Sequence, residues 1–307
     1  MGWTKLGKIY CPDGTQSWAQ HSFMTPVPVQ MSSEVIRLYG GMRDGSGVSR
    51  IGWIDVDSAD PKNVLRVCQS PALDVGAPGM FDDNGVILGD VIRVSDNKLR
   101  MYYVGFQLVE KAKFLAFTGV AESHSRFESF ERLQPTPILD RAPQAPFINA
   151  LHSIERSSQG YRAWISCGQQ WQMIDGTAYP QYNCWTVTSR DGVIFDMRQS
   201  VKILDVTGSE YRIGRPRAHR LHDGTYELRV TSDTWERRYS SNLARSEDGI
   251  HFVRTQIDEL PRGPIGSWDS DMTCYPARID TWSGLSFIFY NGNGMGRTGV
   301  GVAVLDE

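Results

Sequence analysis

Glu210 stands in the run Glu-Tyr-Arg-Ile-Gly-Arg-Pro-Arg, within five residues of Arg212 and Arg215, and Asp82 and Asp83 are adjacent. Two neighbouring carboxylates can split their pKa values, so that one holds a proton while the other takes one, and this suits acid/base chemistry. Glu210, Asp83, Asp82 and Asp90 are therefore the candidate catalytic acids, with Asp44, Asp269 and Asp271 as further carboxylates on the same end of the fold. Each has a plainer reading. Asp82 or Asp83 can cap its own turn, and Glu210 can be an ion-pair partner of an arginine. Cations are as frequent as acids: Arg43, Arg212, Arg215, Arg217, Arg237, Arg238, Arg297, His21 and His152. Arginine fits carboxylate and phosphate through paired hydrogen bonds, so the expected ligand is an anion: an acidic sugar, a sugar phosphate, a nucleotide sugar or inorganic phosphate. Several of these arginines would otherwise only neutralise nearby acids.

Trp171, Trp235, Trp268 and Tyr275 offer flat faces for stacking on a sugar ring, with core packing as the competing use of Trp268. Asn293, in Asn291-Gly-Asn-Gly-Met-Gly, could hydrogen-bond a ligand or simply shape a tight turn, and no helix follows to make that run a phosphate loop. The spacing demands no metal or other cofactor, although a Ca²⁺ ion on Asp90 and the acidic turns is open. A net charge of −3 over 307 residues gives no global attraction to nucleic acid or membrane. The first residues lack the apolar core of a signal peptide, and no apolar run is long enough to span a bilayer. The five cysteines lack metal-ligand spacing. Together these suggest reduced thiols and a cytoplasmic protein.

The elements that must position these residues repeat. Strand cores begin at Ile36, Leu99, Tyr161, Tyr226 and Leu285, about 60 residues apart. Each is rich in Tyr, Trp and branched aliphatics and is bounded by Gly, Asn and Asp turns. Five copies of a four-stranded unit predict an all-β, five-bladed β-propeller in one domain over residues 1–307. The predicted strands are 24–31, 36–41, 49–57 and 64–71; 86–94, 99–105, 114–122 and 130–139; 149–156, 161–167, 182–189 and 195–204; 214–221, 226–232, 241–246 and 252–257; and 272–279, 285–291 and 298–305. Two turns, Ser-Arg-Asp-Gly at 189–192 and Ser-Glu-Asp-Gly at 246–249, each followed by a Phe, mark third-to-fourth strand hairpins. A degenerate copy lies at 122–127. The fifth unit lacks an outer strand, which Trp3–Tyr10 can supply while hiding a sheet edge; otherwise that segment is a frayed arm.

In such a fold the turn leading into each first strand shares a face with each second-to-third connection. That face gathers nearly all the residues above, including the predicted loop 169–181. Functional groups collected on one end of a rigid scaffold suggest a site. Counting back from each second strand places Val27, Asp90, His152, Arg217 and Pro276 around the axis. An acid, an imidazole and a guanidinium side by side would be costly to bury without partners. A wet pocket with a polar ligand, or a structural polar plug, would accommodate them.

The runs FDDNGV and MYYVG, Glu210–Pro216, Trp268–Pro276 and Tyr290–Val304 resemble five-bladed propeller proteins related to glycosidases, near glycoside hydrolase groupings 43, 32 and 130. The likeness covers nearly the whole chain. It implies a sugar pocket at the axis with acidic groups from the first three blades. This chain departs from that pattern: the second blade has Asp90, but the first offers His21 and Thr25, and the third Asn149 and His152. Three functions follow as expectations: an enzyme cleaving a glycosidic bond by carboxylate acid/base chemistry, a glycosyltransferase or phosphorylase using a phosphate-bearing sugar in surface-polysaccharide assembly, and a non-catalytic sugar-binding propeller. The partner is accordingly a carbohydrate, a nucleotide sugar or another phosphate-bearing small molecule.

Overall fold

Alternating branched and aromatic runs with Gly and Asp turns between them fold, in the computed structural model, as twenty strands; residues 2–236 and 238–306 are described. Strand β1 (Trp3–Tyr10) precedes five antiparallel meanders. Unit 1 is β2 (His21–Gln30), β3 (Val35–Arg43), β4 (Ser49–Asp57) and β5 (Val64–Val67). Unit 2 is β6 (Val86–Ser95), β7 (Lys98–Gln107), β8 (Leu115–His124) and β9 (Glu131–Arg132). Unit 3 is β10 (Ile148–Ser157), β11 (Gly160–Ile174), β12 (Thr177–Ser189) and β13 (Val201–Leu204). Unit 4 is β14 (Glu210–Arg220), β15 (Tyr226–Thr234), β16 (Ser240–Ser246) and β17 (Val253–Arg254). Unit 5 is β18 (Cys274–Asp280), β19 (Ser286–Asn291) and β20 (Val300–Leu305), and β1 completes it by pairing antiparallel to β20. A short parallel contact between β8 and β10 joins units 2 and 3 into one continuous sheet. The five first strands touch in cyclic order, β2 to β6 to β10 to β14 to β18 and back to β2.

Lys5 on β1 reaches Asp269 at 2.7 Å, and the Trp3 indole donates to Glu259 at 2.8 Å, so the N-terminal strand is tied as well as paired. The Ser-x-Asp-Gly turns are latches between units. The buried ring of each preceding unit's second strand donates to their carbonyls: Tyr102 to Gly192 at 2.9 Å and Trp164 to Gly249 at 3.1 Å. Tyr39 does the same to Phe127 in the degenerate copy, at 2.6 Å. Buried donors of this size need such an acceptor.

Two expectations are corrected. Residues 169–181 are not an irregular loop: β11 and β12 continue as one long hairpin that turns at Asp175-Gly176, both with positive φ (48° and 75°), as a two-residue hairpin turn requires. The outer strands of units 2 and 4 are also far shorter than predicted, two residues each.

The axial ring also shifts. Every first strand breaks its register at a corresponding place, leaving Thr25, Gly89, His152, Arg215 and Tyr275 bulged out of the ladder; Pro26, Pro216 and Pro276 follow three of them. A bulge adds a residue and re-aims its side chain. Of the positions predicted for the ring, His152 is bulged and Pro276 is the second residue of its bulge, while Val27, Asp90 and Arg217 resume the ladder. Thr25, Arg215 and Tyr275 have φ of 55°, 54° and 56°, a conformation that costs a non-glycine residue about 1–3 kcal/mol. At Gly89 a Cβ would lie 2.3 Å from the Leu151 carbonyl and 2.8 Å from that of Tyr102, so no other residue fits.

Candidate functional site

The bulges bring together a group of cations and phenols. Arg215 is 8% exposed and donates from Nη2 to the Leu88 carbonyl at 2.7 Å, while its Nε and Nη1 have no partner. Burial, with Arg217 adding to it, pushes its pKa down to about 10. His152 is buried beside it with Nδ1 unpaired; burial, then Arg215 and Arg217, hold its pKa well below the usual imidazole value, so it is neutral. The Tyr275 ring lies 5.1 Å from the Arg215 guanidinium and 6.0 Å from the Tyr239 ring. Arg43, at the end of β3, is within electrostatic reach of Tyr275 and of the exposed Arg297, and its buried Nε is unpaired. His21 stands opposite Arg43 in the β2–β3 ladder, and its pKa is lowered by burial and by Arg297 and Arg43. The Thr25 hydroxyl and the Asn149 carbonyl oxygen are likewise buried without partners. Unpaired buried polar groups are costly, and here they come from units 1, 3 and 4, while unit 2 contributes the Leu88 and Gly89 carbonyls.

Arg212 forms the outer part of the group. It donates to Asp233 Oδ2 at 2.7 and 3.1 Å and lies 5.0–6.0 Å from the rings of Tyr179, Tyr182, Tyr211 and Tyr239. The Tyr211 hydroxyl also donates to that oxygen, at 2.5 Å. Asp233 Oδ1 is left buried and unpaired. Tyr211 extends to Trp235, half exposed, at 5.6 Å between ring centres, and to Tyr179 on the long hairpin at 6.4 Å. Trp171, on the same hairpin, packs against Phe114 and Phe147 instead.

The predicted acids are bound to other partners. Glu210 faces Arg254, with bonds of 2.8 and 2.9 Å, and caps the Thr207 amide. Asp82 is buried against Arg132 at 2.8 Å. Asp83 accepts from the Gly79 amide and the Asn84 side chain within its own turn. Asp90 accepts from the Val91 and Ile154 amides and from Arg217, which also bonds the Gly89 and His152 carbonyls. Asp44 caps Ser46 and Val48 and pairs with Arg50 at 2.8 Å. Asp269 holds Lys5, Ser267 and Tyr290. Asn293 accepts from the amides of the exposed Asp271 and of Met272, fixing the turn, and Trp268 packs on Tyr290 at 5.2 Å. Arg238 is exposed, and Arg237 lies outside the described residues.

The structure thus brings Arg43, His152, Arg215, Tyr275 and Arg212 together and leaves Glu210, Asp82 and Asp83 with separate arginine or turn partners. Tyr182, Tyr239 and Asp233 were not among the candidates; the available signal was Asp233 ending an alternating strand at the functional face. Among the described residues no group of three or more His, Cys, Asp or Glu could hold a metal ion, and no helix is long and apolar enough to cross a membrane.

No family model matches this chain. It is 34% identical over 308 residues to an uncharacterized Mycobacterium tuberculosis protein, Rv1502, with 100% of both chains covered. Among solved structures it is similar to a glycoside hydrolase, with a TM-score of 0.74 at 15% identity, covering 99% of this chain and 92% of that one. A thermostable family-43 glycoside hydrolase gives a TM-score of 0.68 at 14% identity, with 98% and 91% covered. A structure from work on the GH130 family of mannoside phosphorylases, which contains glycoside hydrolases that target β-1,2 mannosidic linkages in Candida mannan, gives 0.68 at 14%, with 99% and 94% covered. At these identities the likeness to the solved structures establishes the fold.

Proposed function

This chain belongs to the same family as protein Rv1502 of Mycobacterium tuberculosis, and from its axial chemistry we propose that it is a carbohydrate-active protein that binds a sugar bearing a carboxylate or phosphate group. The five meanders are read as the blades of a closed five-bladed propeller, with the site where the functional face meets the axis. One observation carries the reading: Arg215 is held deep in the ring with Nε and Nη1 unpaired, beside His152 and within one cluster with Arg43. Anionic oxygens would satisfy these donors together, while the phenols of Tyr182, Tyr239 and Tyr275 and the half-exposed Trp235 supply faces for a sugar ring.

The fold is shared with glycoside hydrolases, and glycosidase-like chemistry on the same ligand is the catalytic reading. Cleavage by two carboxyl groups needs both free on either side of the bond. Glu210, Asp82 and Asp233 each have an arginine across them, and Asp233, next to the cluster, keeps its second oxygen buried and unpaired. A cation-rich site with one such carboxylate favours transfer to or from a phosphate-bearing sugar over two-carboxylate hydrolysis.

The test is thermal unfolding with glucuronate, galacturonate, sugar 1-phosphates and inorganic phosphate, against neutral sugars, on the parent and on Arg215→Gln. The anions should raise the parent's Tm and leave the variant's unchanged. An equal shift with neutral sugars, or none with any anion, refutes the reading.

A further inference from the structure

Two cavities open beside unit 4 on the functional face. The first, of about 190 Å³, lies on unit 3 beside the connection that leads to unit 4 and is lined by Gln170, Gln181, Tyr182, Asn183, Lys202 and Asp205. The second, of about 470 Å³, lies where unit 4 meets unit 5 and is lined by Ser240, Ser241, Asn242, Thr255, Arg262 and Thr273 among others. Both are on that face because second strands end there, third strands begin there, and fourth strands return to it before the next unit. The first borders the cluster through Tyr182, and the second begins one residue along the chain from a cluster ring. Tyr182, in the wall of the first, is 5.5 Å from the Arg212 guanidinium. Tyr239, next to Ser240 of the second, is 5.0 Å from the same guanidinium.

The linings carry the chemistry of neutral polyols: amides and hydroxyls. The charges of the first are paired, and the second carries Asp258 and Arg262. Lys202 pairs with Asp205 at 2.7 Å, and Arg262 donates to Ser240 at 2.9 Å. Small-molecule sites run to roughly 300–1,000 Å³, so the first cavity is a single-ring pocket and the second is larger.

We infer that the ligand is an oligosaccharide lying across unit 4, with its anionic residue at Arg215 and uncharged residues in both cavities. This rests on the anionic-sugar reading above and adds the length and course of the chain. The cavities are separate from the arginine cluster, so removing their side chains should spare recognition of the charged residue.

The experiment is calorimetric titration with a panel of uronic acid-containing oligosaccharides of increasing length and with each free uronic acid. The proteins are the parent, Gln181→Ala and Asn242→Ala. The expected result is at least tenfold tighter binding of the longer chains than of the free acid. Each substitution should remove part of that gain while leaving free-acid affinity unchanged. Equal affinity for free acid and oligosaccharide overturns the inference and leaves the anion site standing. A loss in only one variant overturns the crossing of unit 4. No binding of any panel member, free acids included, overturns the anionic-sugar reading and this inference with it.

Discussion

Replacing Arg215 with methionine separates a ligand-binding arginine from a structural one. The side chain makes one bond, Nη2 to the Leu88 carbonyl at 2.7 Å; a hydrogen bond from a charged group contributes about 1.5–3 kcal/mol. Against this, burial and then Arg217 lower its pKa from the usual guanidinium value to about 10. At about 1.4 kcal/mol per unit, keeping it charged costs the fold about 3 kcal/mol. Methionine fills similar space without charge, and the positive φ at this position strains both residues alike. The two effects nearly cancel, so Arg215→Met should unfold within about 1 kcal/mol of the parent, well short of the roughly 3–5 kcal/mol lost when a buried ion pair is broken. Urea unfolding followed by tryptophan fluorescence measures the difference, and the same samples with and without glucuronate or phosphate report binding. The variant should keep its stability and lose its response to the anion. A loss of 3 kcal/mol or more, or an undiminished response, refutes the reasoning.

Other perturbations follow from the same contacts. Arg254→Leu should destabilise by about 2–4 kcal/mol because Glu210 is left partly buried and unpaired, and adding Glu210→Gln should recover part of it; no recovery in a double-mutant cycle would mean the two do not act as a pair. Gly89→Ala should cost several kcal/mol, read as a fall in Tm, because its Cβ would strike the Leu151 and Tyr102 carbonyls; an unchanged Tm would contradict the close approach. His152 has a folded pKa below its unfolded value of about 6.5, so the unfolded chain takes the proton first. Its contribution is fully present above about pH 6.5 and is lost as pH falls below that, at up to about 1.4 kcal/mol per pH unit. His152→Asn should flatten the loss between about pH 7.5 and about pH 5, and an unaltered pH profile would show that the imidazole is not held neutral.

Repeats, turns and the closing N-terminal strand were legible because alternation with period two, broken by Gly and Asp, is a local signal. The ring was misplaced because a bulge breaks that alternation where it matters: counting at constant register passes from Arg215 to Arg217 and from Gly89 to Asp90. The hairpin from 169 to 181 was read as a loop because its run of glutamines masks the alternation of Trp171 and Met173. The acids were located on a face, but not with their partners. Arg132 lies 50 residues from Asp82, and Arg254 lies 44 from Glu210, and nothing near either acid announces such a partner. Asp233 passed unnoticed because its importance comes from Arg212 and Tyr211 across the ladder and from one oxygen left without a donor.

The run Ile-Gly-Arg-Pro at 213–216 shows how this fold positions charge. Gly214 has no side chain because the Tyr182 ring occupies the place its Cβ would take, at 2.5 Å, and that approach brings the phenol onto the cluster. Arg215 then adopts a strained left-handed conformation, which leaves it out of the ladder instead of on a face packed against unit 3. Pro216 lacks an amide hydrogen, so it loses no ladder bond where the register breaks. The Thr-Pro and Tyr-Pro steps at 25–26 and 275–276 repeat the device in units 1 and 5. A polar plug that only filled the axis would need neither three left-handed residues at about 1–3 kcal/mol each nor a buried cation with two unmatched donors, because apolar side chains in ordinary strands would fill the same space without strain. Strain repeated in three units and directed at one place is better explained by an anionic group that enters from solution than by packing.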